Sequence, residues 1–296
     1  MGAQWLRNSS PQGEVGRAAG RRGSAEAQLI PSSGFAALAT IWMRRGAIAP
    51  SFPAMDYIDA PSPNFDTRTA PPDMIVLHYT GMQTGEAALE RLRDPTPGGR
   101  VSAHYLVEED GRVFRMVDEA RRAWHAGVSS WKGQTDINGR SIGIEIVNPG
   151  HEFGYRDFPE PQVEAVIALV TDIRSRWTIA DGDIVGHSDV TPARRQDPGE
   201  RFPWKRLAAA GHGLWVEPPP APGAPLAEGE EGAAVFAFQA GLTRLGYDCA
   251  PTGRFDAATR EVVSAFQRHW VQSRFDGVAD GLTRARLIAL LRLAGG

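Results

Sequence analysis

The hydrophobic pattern changes period several times along the chain, and each change marks an element. Residues 74–77 are continuously apolar, as in a strand buried on both faces, and His78 closes the run. Residues 85–93 carry Leu89 and Leu92 on one side of a short helix. Residues 101–107 and 113–117 read as strands, with the turn signal Asp110-Gly111 between them. Residues 141–147 alternate, placing Ile142, Ile144 and Ile146 on one face and Ser141, Gly143 and Glu145 on the other. Residues 162–177 form an amphipathic helix whose start is marked by Pro159 and Pro161. A short strand over 183–185 then delivers His187. Strands interleaved with helices predict an α/β domain, a mixed central sheet flanked by helices.

The proline-rich stretch 217–229 interrupts this order and reads as an extended linker. Beyond it, residues 233–245, 257–270 and 283–293 predict a small C-terminal three-helix domain. Gly253 to Thr259 and Gly277 to Thr283 echo one another: each offers a turn glycine and an aspartate, Asp256 or Asp280, placed to cap a helix. The expected organisation is an extension over 1–54, a catalytic domain over 55–216, the linker over 217–229 and the helical domain over 230–296. Residues 1–54 are rich in Gly, Ala, Ser and Arg without a sustained period. Arg44-Arg45 separates the short apolar stretch 34–43 from the cleavage-like Ala47-Ile48-Ala49. A disordered extension, or a true start at Met55, is expected there.

Composition narrows the function classes. A formal charge of −3, without a basic stripe, gives no nucleic-acid signal. No run of 18 apolar residues exists, so no membrane span is read. Cys249 is the only cysteine, which excludes an intrachain disulfide and a cysteine-based metal site. A monomer is the default expectation.

The chemistry lies in His78, at the end of the 74–77 run, and in His187 and Asp197 of Gly186-His187-Ser188-Asp189 … Gln196-Asp197-Pro198-Gly199. Two imidazoles and one carboxylate make the ligand set of a catalytic zinc whose fourth position is left for water. In open sheets such ligands gather at the carboxyl ends of strands. His104, in the strand-like run 101–107, competes as a ligand but reads as structural. His151, His212 and His269 lie in loop or surface-helix contexts and read as bland. Glu145, flanked by isoleucines, has the desolvated setting that suits a general acid or base. No His-Glu-x-x-His helix is present, which disfavours a metallopeptidase.

Five stretches in order, Ile75-Val76-Leu77-His78-Tyr79-Thr80, Val101-Ser102-Ala103-His104-Tyr105, Arg122-Ala123-Trp124-His125-Ala126-Gly127, Ser141-Ile142-Gly143-Ile144-Glu145 and Gly186-His187-Ser188-Asp189 … Asp197-Pro198-Gly199, make the region from about residue 55 to 203 resemble the zinc-dependent N-acetylmuramoyl-L-alanine amidases. The segment after the linker is similar to the small peptidoglycan-binding helical domain, through Phe238-Gln239, Leu245-Gly246-Tyr247, Thr252 to Asp256 and Ala265-Phe266-Gln267. The resemblance implies Zn²⁺ held by His78, His187 and Asp197, with Glu145 as catalytic carboxylate. It implies Arg195 on the oxyanion, where many relatives have lysine, and Trp124 and His125 lining the substrate groove. The implied partner is peptidoglycan or a muropeptide, cut between N-acetylmuramic acid and L-alanine. Some relatives bind peptidoglycan without cutting it, but typically lack a full ligand triad. Two separable domains imply that deleting residues 218–296 weakens sedimentation with sacculi and spares small muropeptides. The wall-binding segment points to the periplasm, and the lack of a clear leader to the cytoplasm, which is favoured.

Overall fold

A computed structural model describes residues 55–295; the expectations for residues 1–54 lie outside the described residues. The first part runs β1 (Tyr57–Asp59), β2 (Phe65–Thr67), β3 (Met74–Tyr79), α1 (Gly85–Arg93), β4 (Tyr105–Val107), β5 (Val113–Arg115), β6 (Arg121–Ala123), α2 (Ile137–Arg140) and β7 (Ser141–Ile146). It continues through α3 (Gly150–Phe153), α4 (Glu160–Arg176), β8 (Ile184–Gly186), α5 (His187–Val190) and α6 (Trp204–Ala209). Helices α7 (Ala233–Leu245), α8 (Ala257–Trp270) and α9 (Gly281–Ala294) follow.

Six strands form the main sheet in the order β1-β5-β4-β7-β3-β8. Only the β4–β5 pair is antiparallel, so the sheet is mixed as the pattern predicts. β3 and β7 run side by side at its centre, with His78 directly opposite Glu145. Paired positions share a face of the sheet. Ile75, Leu77, Ile142, Ile144 and Ile146 therefore point together, and they pack on Val163, Val166, Leu169, Val170 and Ile173 of α4. His78 and Glu145 emerge on the opposite face. On that face Leu106, the neighbour of Glu145 on β4, and Phe114 pack against Ala88 and Leu92 of α1.

The long elements fall close to their predicted bounds because their apolar periods are local. Thr84 caps α1 by accepting from the Ala87 amide, and Asp256 and Asp280 cap α8 and α9 by accepting from Thr259 and Thr283. Each of the two aspartate caps belongs to a brace that explains the echoed motif. Buried Gln239 accepts from the Gly253 amide and donates to Thr259, and buried Gln267 accepts from Gly277 and donates to Thr283. The 101–107 strand is shorter than expected: 102–107 are buried throughout, and only Tyr105 to Val107 enter the ladder.

The proline-rich stretch behaves differently from a free spacer. Leu226 exchanges backbone hydrogen bonds with Ala279, the Ala221 amide donates to Gly281, and Arg284 donates to the Pro222 and Gly223 carbonyls. The described residues on both sides of it belong to one compact unit. Met74, Val76, Val185 and Val190 share a single hydrophobic cluster with Leu242, Leu245, Tyr247, Phe266 and Trp270. Removing residues 218–296 would uncover apolar residues on one face of the central strands. Among the described residues, no helix is long and apolar enough to cross a membrane.

Candidate metal centre

Three segments distant in sequence meet where the parallel strands end. His78 is the penultimate residue of β3, and His187 follows β8 directly as the first residue of the α5 turn. Asp197 is brought back to them by a hydrogen bond from the Ser188 amide to its own carbonyl, 2.8 Å. His78 Nδ1, His187 Nδ1 and Asp197 Oδ2 form a triangle with 3.0 Å on every side. All three residues are buried.

The surrounding hydrogen bonds assign the protons. His187 Nε2 faces the Ala126 carbonyl at 3.2 Å, so it must donate, which leaves a lone pair on Nδ1. The argument for His78 runs through three residues. Ser141 Oγ donates to the Ile137 carbonyl at 2.6 Å. It therefore accepts from His125 Nε2, 3.2 Å away, and His125 Nδ1 is left to accept from His78 Nε2 at 3.0 Å. The lone pair of His78 Nδ1 is thus also aimed into the triangle. Two lone pairs and a carboxylate oxygen in mutual contact repel one another unless a cation lies among them. This donor set suits a metal ion, and among the described residues these are the ones whose ligand atoms cluster closely enough to hold one.

Electrostatics agree with that assignment. Burial first, then the neighbouring His187, push the His78 imidazole down to about 4, so it is neutral and able to ligate. Burial, then His78, lower His125 well below its ordinary value. Burial would raise Asp197, but His187 and His78 outweigh it and hold the carboxyl below the ordinary range. Glu145 goes the other way: burial first, then Asp197, raise its carboxyl well above the usual range, and Arg195 opposes them. Its Oε2 is buried without a hydrogen-bond partner among the described residues. A cavity of about 580 Å³ is lined by the triad, Glu145, His151, Arg194 and Arg195.

The remaining candidates separate. Arg195 is exposed at the cavity wall. Trp124 lines an adjoining smaller cavity with Arg100, Arg194 and Arg195, its ring under the Arg100 guanidinium and its Nε1 donating to Asp66. His125 lines both cavities and lies mostly beneath their surface. It is 8 % exposed, both ring nitrogens are engaged inside the protein, and its ring sits against Gly143, where a Cβ would come within 2.4 Å of it. Asn138 Oδ1 accepts from the His125 and Ala126 amides and fixes that backbone. His125 therefore orients His78.

His104 is buried, with Nδ1 accepting from the Gly143 amide and Nε2 near the Arg121 carbonyl and Arg68. Two histidines that read as bland carry more. His151 sits at the cavity wall between Tyr79 and Glu200, stacked on Tyr155. His269 is buried against Asp189, two residues after the ligand His187. No local period could have exposed either role, because Tyr79, Glu200 and Asp189 are remote in sequence from the histidines they meet.

Comparison with known proteins gives a consistent picture. Residues 68–200 match the N-acetylmuramoyl-L-alanine amidase family, and residues 231–287 match the putative peptidoglycan binding domain. The N-acetylmuramoyl-L-alanine amidase AmiD of Escherichia coli is 35 % identical over 245 residues, covering 75 % of this chain and 83 % of that protein. The 1,6-anhydro-N-acetylmuramyl-L-alanine amidase AmpD of Citrobacter freundii is 34 % identical over 167 residues, 50 % of this chain and 87 % of that protein. Among solved structures, the AmiD complex with anhydro-N-acetylmuramic acid-L-Ala-D-gamma-Glu-L-Lys superposes with a TM-score of 0.64 at 34 % identity, over 78 % of this chain and 93 % of that one. AmpDh3 of Pseudomonas aeruginosa, complexed with an anhydromuramic pentapeptide, gives 0.62 at 28 % identity, over 83 % and 97 %.

Proposed function

The chain belongs to the N-acetylmuramoyl-L-alanine amidases, and we propose that it uses zinc to hydrolyse the amide between N-acetylmuramic acid and L-alanine in peptidoglycan and its anhydro-muropeptide fragments. The observation that carries this reading is the triangle of two lone-pair nitrogens and one carboxylate oxygen. Its 3.0 Å edges are a little tighter than the roughly 3.3–3.5 Å that tetrahedral zinc sets at bond lengths of ~2.0–2.2 Å, and within small side-chain shifts of it. Three protein ligands facing a cavity fit a catalytic ion better than a structural one, which usually takes four. When bound, zinc polarises an amide carbonyl and lets water ionise near neutral pH.

The chain's own residues supply the rest. Glu145 accepts a proton from the attacking water and delivers it to the amide nitrogen as the C–N bond breaks. Its Oε2 has no competing protein hydrogen bond among the described residues. Arg195, at the cavity wall, places a positive charge where the carbonyl oxygen becomes negative. Trp124 and the arginines of the adjoining cavity offer a flat face and cations to the sugar and to the carboxylates of the stem peptide. The helical segment 231–287 gives a second contact with the same polymer and raises the local concentration of the site.

Incubation of the zinc-loaded protein with anhydro-muropeptides, followed by mass spectrometry, tests the reading. Release of free stem peptide and its sugar is expected. Intact muropeptide that still co-sediments with the protein would identify a recognition protein, and cleavage within the peptide a peptidase.

A further inference from the structure

The α5 turn that begins with His187 is held by a carboxylate that the helical segment controls. Asp189 is fully buried. Its Oδ2 accepts from the Gly186 amide at 2.7 Å and from His269 Nδ1 at 2.6 Å, and its Oδ1 accepts from the Tyr247 hydroxyl at 2.5 Å. One donor is local; the other two belong to the segment beyond the proline-rich stretch. His269 stacks on Trp204 and on Trp270 with ring centroids 3.6 Å apart in each pair, which fixes the plane of its imidazole. Tyr247 packs edge-on against Trp131 at 5.1 Å. The loop after Asp197 is gripped from the same side: Gln272 Nε2 donates to the Glu200 and Phe202 carbonyls, 2.7 Å each. The Ser188 amide then joins the two gripped segments through the Asp197 carbonyl.

We propose that the C-terminal helices set the geometry of the metal centre: Tyr247 and His269 are positioning residues that hold His187 through Asp189, while Gln272 holds the Asp197 loop. The inference rests on the reading that His78, His187 and Asp197 bind a metal ion. A segment whose resemblance points to the wall polymer is then also a structural part of the catalytic centre, and anything that shifts α8 is felt at two of the three ligands. A buried carboxylate with three donors has little freedom, so losing two of them releases the turn that aims His187.

The test uses the full chain loaded with Co²⁺, whose visible bands report coordination. Tyr247→Phe removes the hydroxyl and keeps the ring, and His269→Phe keeps an aromatic ring, somewhat larger, without its nitrogens; the double variant combines them. Metal affinity is read by competition with a chromophoric chelator, and thermal unfolding of the metal-free protein is followed in parallel. The double variant should bind Co²⁺ roughly 10–100-fold more weakly, with altered bands. His269→Asn, which returns an N–H near the position of Nδ1, should recover part of the loss. Leu290→Ala, a cavity in the same helical cluster away from Asp189, should lower the unfolding temperature and leave affinity and bands unchanged. Unchanged affinity and bands in the double variant, or an equal change in Leu290→Ala, would overturn the proposal. A wild-type chain that fails to bind Co²⁺ would overturn the metal reading itself, and is told apart because no variant is needed to see it.

Discussion

Replacing His125 with phenylalanine separates two roles for one residue. The substitution keeps a planar ring against Gly143 and deletes both nitrogens, so His78 Nε2–H loses its acceptor and Ser141 Oγ loses its donor. The phenyl ring fills the space, so no water can take over either bond. A buried donor left without a partner costs about 1–3 kcal/mol, and His78 can relieve that cost by rotating or by moving its proton to Nδ1. Either response spoils the lone pair aimed at the ion. Loss of such an orienting partner commonly weakens metal binding 10–100-fold, about 1.4–2.7 kcal/mol. The assay is equilibrium competition for Zn²⁺ with a chelator, together with kcat and KM at saturating zinc. A weaker zinc Kd with KM little changed is expected. If KM rises while the zinc Kd stays within about twofold, His125 contacts substrate, and the proton assignment running from Ile137 through Ser141 to His78 is wrong.

Other outcomes follow from the same geometry. Glu145→Gln should keep zinc at full occupancy, by elemental analysis, while turnover falls on the order of 10²–10⁴-fold. Asp197→Ala removes one corner of the triangle and should lose the metal under the same measurement. Gly143→Ala forces a Cβ to within 2.4 Å of the His125 ring and should cost about 1–3 kcal/mol in thermal or urea unfolding, with weaker metal binding. Acid should destabilise the metal-free protein through His104, which burial first and then the Arg68 charge lower from 6.5 to about 4. The unfolded chain takes up that proton first, so the contribution is whole above about pH 6.5 and is lost as pH falls toward about 4. It amounts to about 3 kcal/mol, and His104→Gln should flatten that limb of the stability profile.

Much of the architecture was legible because its signals are local. The β3 run, the β7 alternation and the stripes of α1, α4, α7 and α8 each bury a face defined by consecutive residues. Three of the three-residue strands are different. Tyr57 pairs with Val113 and Phe65 with Ala123, so β1, β2 and β6 exist through partners some 56–58 positions away and carry no period of their own. The triad could be proposed because two histidines sit at strand ends and Asp197 follows one of them in a loop that folds back. His125 read as a groove residue because the motif it shares with Trp124 lines the groove in relatives; the hole at Gly143 that receives its ring cannot be seen in either motif alone. His269 looked like a surface-helix residue, since neither Trp204 nor Asp189 is near it in sequence. The proline-rich stretch read as a spacer from composition, yet its carbonyls and amides find partners at Gly281, Ala279 and Arg284. Composition reports stiffness and not whether a surface lies alongside.

His78 and Glu145 occupy one rung of the β3–β7 ladder, and a slip of a single residue would send one of them through to the α4 side. A chain that has paired these strands incorrectly can neither hold the ion nor present the carboxylate, so misassembled molecules are silent instead of sluggish. Activity divided by tightly held zinc should therefore be constant from one preparation to the next, while activity divided by total polypeptide measures the fraction that reached the native strand alignment.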